Sequence, residues 1–239
     1  MLQALIFDVD GTLADTEEIH RHAFNHAFAA MGLGWYWDVA QYTRLLEVSG
    51  GKERMLHYWN TVGAAQGGLA RIPTAAAIDR LHTIKTQAYA DAINTGAAPL
   101  RPGVLPLIEA AQQQGLQLAI ATTTTPANIA ALLHRALGGQ WRSMFAAIGD
   151  AESAPLKKPH PQVYLQTLAA LQLPAKACLA LEDSANGLQA SLAAGLATVI
   201  TPTRYTAGHN FAGAMQVMPD LSHTSLAELT AALVSDAPV

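Results

Sequence analysis

Cysteine is nearly absent from this chain of 239 residues: Cys178 stands alone, so no intrachain disulfide can form and the fold must rest on its hydrophobic core. That cysteine lies in the apolar run Cys178-Leu179-Ala180-Leu181 and is expected to be a buried small hydrophobe. Charge is also scarce, with 13% charged residues, and 14 Lys+Arg against 18 Asp+Glu leave a formal net charge of −4. With a pI of about 6.1, there is no electrostatic basis for a general nucleic-acid surface, which leaves room only for a local cationic pocket. A hydrophobic content of 51% excludes disorder. No uninterrupted apolar run approaches the ~20 residues that span a bilayer. Met1-Leu2-Gln3-Ala4-Leu5-Ile6-Phe7 has no basic start, so no export signal is expected and the cytoplasm is the expected compartment.

Short apolar runs ending in polar residues recur at Ala4–Val9, Gln117–Ala121, Met144–Ile148, Cys178–Leu181 and Ala197–Thr201, separated by helical patterns such as Ala127–Leu137 and Gln162–Leu171. Alternation of strand and helix predicts an α/β fold, a doubly wound parallel-sheet (Rossmann-like) core. Ligands of such sheets bind at the carboxyl ends of the strands, which selects Asp8, Thr122, Asp150 and Glu182. The interval from Asp15 to about Asn94 is too long for one crossover and reads as an inserted helical cap domain. The expected division is a core of 1–15 and 95–239 and a cap of 16–94. Asp15 and Glu18, in capping-box spacing, open the first cap helix, which runs through Ile19, Ala23 and Ala27 and stops at Gly32. Pro99, Pro102 and Gly103 suit a hinge at the return. Trp35, Tyr36 and Trp37 are expected to pack the cap, and the histidines other than His20 show no metal-ligand spacing.

Asp8-Val9-Asp10-Gly11-Thr12 places two carboxylates two residues apart at a strand end, where both face one side. At ~4 Å and an effective dielectric of ~20 they repel by ~4 kcal/mol, so a cation or a shared proton is required. Glu182-Asp183 supplies further oxygen donors of the kind Mg²⁺ takes. Lys158, in a proline-stiffened loop, adds a cation, while Thr122 and Thr123 offer hydroxyls to an anion and Thr125 caps the helix from Pro126. Nucleophile, second carboxylate, metal site, cation and hydroxyl at successive strand ends are what phosphoryl transfer requires.

Four ordered motifs, Asp8-Val9-Asp10-Gly11-Thr12, Thr122, Lys158-Pro159 and Glu182-Asp183, resemble those of the haloacid dehalogenase superfamily of phosphatases. The resemblance implies that Asp8 attacks phosphorus to give an aspartyl phosphate, and that Asp10 protonates the leaving oxygen and then activates water. It also implies that Lys158 and Thr122 hold the phosphoryl group. Mg²⁺ would be bound by Asp8, the main-chain carbonyl of Asp10 and Asp183, with Glu182 in close support. The cap segments Asp15-Thr16-Glu17-Glu18-Ile19-His20, Trp35-Tyr36-Trp37-Asp38 and Gly50-Gly51-Lys52-Glu53-Arg54 extend the resemblance to the CbbY-type phosphatases, which act on xylulose 1,5-bisphosphate. By that likeness the substrate is a small phosphorylated sugar, and no nucleic acid, membrane or partner chain is expected, the protein acting as a monomer. An Ala/Gly-rich stretch at Ala64–Ala70 and the run Ser153-Ala154-Pro155-Leu156 depart from the pattern.

Within the cap, Glu17 and His20 share a helix face near Asp10 and are expected to meet sugar hydroxyls. Gly50 and Gly51 can turn main-chain N–H groups to a second phosphate, with Lys52 and Arg54 adding charge. A phosphosugar mutase of the β-phosphoglucomutase kind uses the same motifs and stays open as an alternative, as does another small phosphomonoester phosphatase. A signalling receiver leaves the insertion and Glu182-Asp183 unexplained, and a non-catalytic binding module needs no such set.

Overall fold

The computed structural model describes residues 1–61, 75–96 and 98–235; the stretch at Ala64–Ala70 lies outside them. One sheet of six strands has the order β3-β2-β1-β4-β5-β6, every neighbouring pair parallel. The strands are β1 (Ala4–Phe7), β2 (Gln117–Ala121), β3 (Ala147–Gly149), β4 (Cys178–Glu182), β5 (Ala197–Ile200) and β6 (Gln216–Val217). The central strands are buried along nearly their whole length, which is why they read as unbroken apolar runs rather than alternating ones. Leu5 and Phe7 of β1 pack on one face with Leu118, Ile120, Leu179 and Leu181. Ala4 and Ile6 pack on the other with Ala119, Cys178 and Ala180.

Helices cover both faces: α5 (Val104–Gln113), α6 (Pro126–Leu137) and α9 (Leu226–Ser235) on the first, α7 (Gln162–Leu171) and α8 (Ala185–Ala193) on the second. Among the described residues, four more helices, α1 (Glu17–Ala30), α2 (Val39–Leu45), α3 (Gly51–Thr61) and α4 (Ala75–Asn94), lie between β1 and α5 and form the cap. Its core is aromatic: Phe24, Phe28, Trp35, Trp37, Tyr42, Tyr58 and Trp59 are all buried together, whereas Tyr36 is exposed. The two connections between cap and sheet run side by side, with an antiparallel bridge between Ala14 and Leu100 and a bond from Arg101 N to Leu13 O of 2.8 Å. Among the described residues, no helix is long and apolar enough to cross a membrane.

Two local expectations are corrected, and one strand was not expected. The third strand begins at Ala147, because Trp141–Met144 closes into a 3₁₀ turn first. The capping box at Asp15 and Glu18 does not form: Thr16 is the N-cap residue of α1, its hydroxyl goes to Asp10, and Glu18 pairs with Arg21. The short strand β6 pairs its two residues with Val199 and Ile200 and had no apolar run to announce it. Thr125 does cap α6, accepting from Asn128 N at 3.4 Å, and Ser184 caps α8, accepting from Gly187 N at 3.1 Å.

Cys178 is fully buried in β4, and burial pushes its thiol up to about 11. Thiol reagents at neutral pH should therefore leave the native protein unlabelled and modify one thiol after unfolding, a difference that mass spectrometry reads directly.

Candidate active site

Parallel register delivers the chemistry to one place. Phe7 is paired with Ile120 and with Leu181, so the chain leaves β1, β2 and β4 at one level and presents Asp8, Thr122 and Glu182-Asp183 together. Lys158 completes the group from the loop before α7. Its ammonium, 4% exposed, donates to Asp8 Oδ1 at 2.7 Å, Glu182 Oε1 at 2.6 Å and Ala121 O at 2.8 Å. Tyr164 of α7 donates to the same Glu182 oxygen at 2.5 Å, and the bare Cα of Gly187 leaves room for that carboxylate, since a Cβ there would lie 1.8 Å from Oε2.

Asp8, Glu182 and Asp183 each offer an oxygen within 4.8 Å of the others, and all three are buried. A single buried ammonium faces three carboxylates, so the charge is unbalanced. Burial, with Glu182 and Asp10 nearby, pushes Asp8 up to about 7 in spite of Lys158. Burial together with the charges of Asp8 and Glu182 drives Asp183 well above the carboxylate range. Gly11, at φ +83°, holds the backbone against Asp183, where a Cβ would lie 2.3 Å from Oδ2. A compact, oxygen-only donor set with surplus negative charge fits a hard divalent cation of the size of Mg²⁺.

Asp10 is turned away from that triad. Its Oδ1 accepts from Thr16 Oγ1 at 2.6 Å and meets His20 Nε2 at 2.9 Å, while His20 Nδ1 lies 2.7 Å from Lys85 Nζ and its ring stacks on Tyr89. Burial would raise the Asp10 carboxyl, but His20, Thr16 and Lys85 outweigh it and hold the group well below the usual range. Burial brings Lys85 down to about 8. Environment thus separates two carboxyls two residues apart, a pattern by which enzymes divide their roles.

These groups open into a cleft of about 430 Å³ between sheet and cap, lined by Asp8, Asp10, Glu17, His20, Thr122, Thr123, Lys158 and Asp183 and also by Gly50, Gly51, Lys52 and Arg54 of the cap. Glu182 stays behind Lys158. Both ring nitrogens of His20 are engaged, so it meets Asp10 and Lys85; one oxygen of Glu17 accepts from Tyr42 at 2.8 Å. Arg54 donates through Nε to Leu45 O and Val48 O and through Nη1 to Tyr42. Lys52 is half-exposed and paired with Asp79 at 2.6 Å. Gly50 has φ +94°, a conformation that favours glycine. Asp150 caps its own turn through Glu152 N and Ser153 N instead of reaching the cleft.

Sequence reading passed over Lys85, Tyr42, Asn128, Tyr164 and two cleft histidines, His82 and His209. Lys85 had a signal: it interrupts the stripe Ile78, Leu81, Tyr89 and Ile93 at helical spacing, where a charge needs a buried partner. Asn128 had none, although its Nδ2 donates to Thr124 at 2.9 Å.

With this geometry in view, the comparisons are decisive. A family model described as haloacid dehalogenase-like hydrolase matches residues 2–195. The chain belongs to that family. It is 55% identical over 220 residues to the plasmid-encoded protein CbbY of Cupriavidus necator, covering 92% of this chain and 86% of that one. A crystal structure of CbbY from Rhodobacter sphaeroides in complex with phosphate superposes with a TM-score of 0.90 at 40% identity, covering 96% of this chain and all of that one. A variant of the Rhodobacter protein in complex with xylulose 1,5-bisphosphate gives 0.89 at 40% identity, covering 96% and 99%. As a haloacid dehalogenase-like hydrolase of this kind, the chain is a phosphoric monoester hydrolase.

The buried ion group makes a stability prediction. Replacing Lys158 by Met leaves Asp8 and Glu182 without their counter-charge and should cost about 3–5 kcal/mol at neutral pH. Loss of Lys158 raises the folded-state pKa of Asp8 further, and a carboxyl raised on folding favours the fold at low pH and loses that contribution as pH climbs through its folded value. Urea unfolding of metal-free protein should therefore show a smaller penalty at about pH 5 than at about pH 8.

Proposed function

We propose that the chain is a Mg²⁺-dependent phosphatase that hydrolyses a sugar bisphosphate through an aspartyl phosphate on Asp8, with xylulose 1,5-bisphosphate as substrate and xylulose 5-phosphate and phosphate as products. The observation that carries this is the division of labour between the two aspartates: Asp8 held by Lys158 beside Asp183, Asp10 held separately by Thr16 and His20. The complex of its Rhodobacter relative with that sugar supports the choice of substrate.

Lys158 fixes one oxygen of Asp8 and leaves the other to attack phosphorus in line. The bond from phosphorus to the sugar oxygen breaks as the bond to Asp8 forms, and Asp10 gives the departing oxygen its proton. Water then attacks the aspartyl phosphate and Asp10 takes the proton back. With its pKa held low, Asp10 in the present arrangement is set for that second, basic step. Thr122 and Thr123 donate to the phosphoryl oxygens. Asp8, Asp183 and the carbonyl of Asp10 would hold Mg²⁺, with Glu182 supporting from behind Lys158; when bound, the ion neutralises charge on the transferring group. The cap, residues 16–94, covers the cleft from the core of 1–15 and 95–239. There Glu17 would face the sugar while His20, its nitrogens engaged, holds Asp10 beside it, and Gly50, Gly51, Lys52 and Arg54 would face the second phosphate. A cytoplasmic monomer suits this role.

Asp8→Asn should abolish turnover, and Asp10→Asn should keep substrate binding while losing ~10²–10⁴ in rate. Chelation should stop hydrolysis and Mg²⁺ restore it, and phosphate should be released without any bisphosphate activator, which a mutase would need. Lys52→Ala, which removes an ammonium paired with the exposed Asp79, should raise KM for xylulose 1,5-bisphosphate by roughly 10–150-fold and leave a small monophosphate unaffected. Arg54→Ala should do the same. Equal losses on both substrates would assign these residues to cap folding instead.

A further inference from the structure

After β5 the chain makes a tight turn, Thr203–Thr206, buried at all three of Thr203, Tyr205 and Thr206. Thr203 N donates to Thr206 Oγ1 at 2.9 Å, Thr206 N to Thr203 O at 3.1 Å and Tyr205 N to Thr203 Oγ1 at 3.2 Å, so the turn is braced as one unit. Its two sides face different domains. Tyr205 enters the aromatic cluster of the cap, edge-on to Tyr42 with ring centres 5.7 Å apart, and its phenol donates to Glu18 of α1. Arg204 donates to the same Glu18 oxygen at 2.7 Å. Thr206 faces the acidic triad, its Oγ1 3.2 Å from Asp183 Oδ2. That hydroxyl accepts from Thr203 N–H and donates to Asp183, with Thr203 Oγ1 also 3.3 Å away; the carboxylate is the stronger acceptor of the two.

We propose that Thr206 is a positioning residue for Asp183, and that Glu18, Arg204 and Tyr205 form a latch through which cap docking and divalent-cation binding at Asp8 and Asp183 favour one another. The inference rests on the metal-dependent reading above. A carboxylate with one oxygen fixed by a donor presents the other to a cation with less freedom left to lose. Tyr205, which meets the cap, and Thr206, which meets the carboxylate, are adjacent, so undocking the cap removes the Tyr205 and Arg204 contacts that hold the turn against α1 and frees the turn to shift Thr206 from Asp183. Coupling of this kind is reciprocal: whatever factor docking adds to cation affinity, the cation adds to docking.

The test is titration calorimetry of the full chain with Mg²⁺ alone, in wild type and in Thr206→Val, Thr206→Ser, Tyr205→Phe and Glu18→Gln. Loss of a group that orients a ligand costs ~10–100-fold in metal affinity, and Thr206→Val should lose that much while Thr206→Ser binds as wild type. Tyr205→Phe and Glu18→Gln, which touch no ligand, should also bind more weakly. Added Mg²⁺ should slow hydrogen exchange in the first turns of α1 in wild type and fail to do so in Thr206→Val. Wild-type affinity in Thr206→Val, in Tyr205→Phe or in Glu18→Gln overturns the coupling. Absence of Mg²⁺ binding in wild type would overturn the metal-dependent reading itself, an outcome distinct from the others.

Discussion

The buried ammonium of Lys158, shared between Asp8 and Glu182 at the floor of the cleft, is the interaction on which the rest depends. It can exist only because three parallel strands end at one level and α7 brings Tyr164 and the lysine loop over them. A buried charge pair is poor evidence of stability in general, since desolvation cancels much of the attraction. Here its value is in position: Asp8 is pinned by one oxygen, and its surplus charge, together with that of Asp183, creates a need for a second cation beside the proposed nucleophile.

Cap and core contribute unequally to the two aspartates. Asp8 answers to groups of the sheet, whereas the partners of Asp10 are Thr16 and His20 at the start of the cap and, through His20, Lys85 of α4. On the proposed mechanism the hydrogen-bond partners of the acid–base residue come from the cap, and those of the nucleophile from the core. A chain that must protonate a leaving group and then strip a proton from water gains from tying the residue that does both to the element that covers the substrate.

Strand ends were legible because parallel, doubly buried strands leave an apolar run with a polar terminus. Asp8, Thr122 and Glu182-Asp183 fell out of that pattern, Asp150 did too but stays in its own turn, and Lys158 was legible only from its loop motif. What was not legible depended on contacts far apart in the chain. Arg101 shows this well: it donates to the carbonyls of Gly11, Thr201, Pro202 and Pro219, joining four loops, and nothing in its flanking Leu100 and Pro102 signals it. The capping box at Asp15 failed for a related reason, since Glu18 is held by Tyr205 and Arg204 far along the chain and Thr16, bonded to Asp10, takes the N-cap position. Likewise β6 exists only because β5 offers it an edge.

The central claim is that Asp8 becomes covalently phosphorylated, and acid quenching during turnover of xylulose 1,5-bisphosphate, followed by peptide mass spectrometry, tests it most directly. The account predicts a phosphoryl adduct on Asp8, present in wild type and accumulating in Asp10→Asn, where the step that removes it is slowed. An adduct on any other residue, or rapid phosphate release with no adduct in either protein, would contradict it.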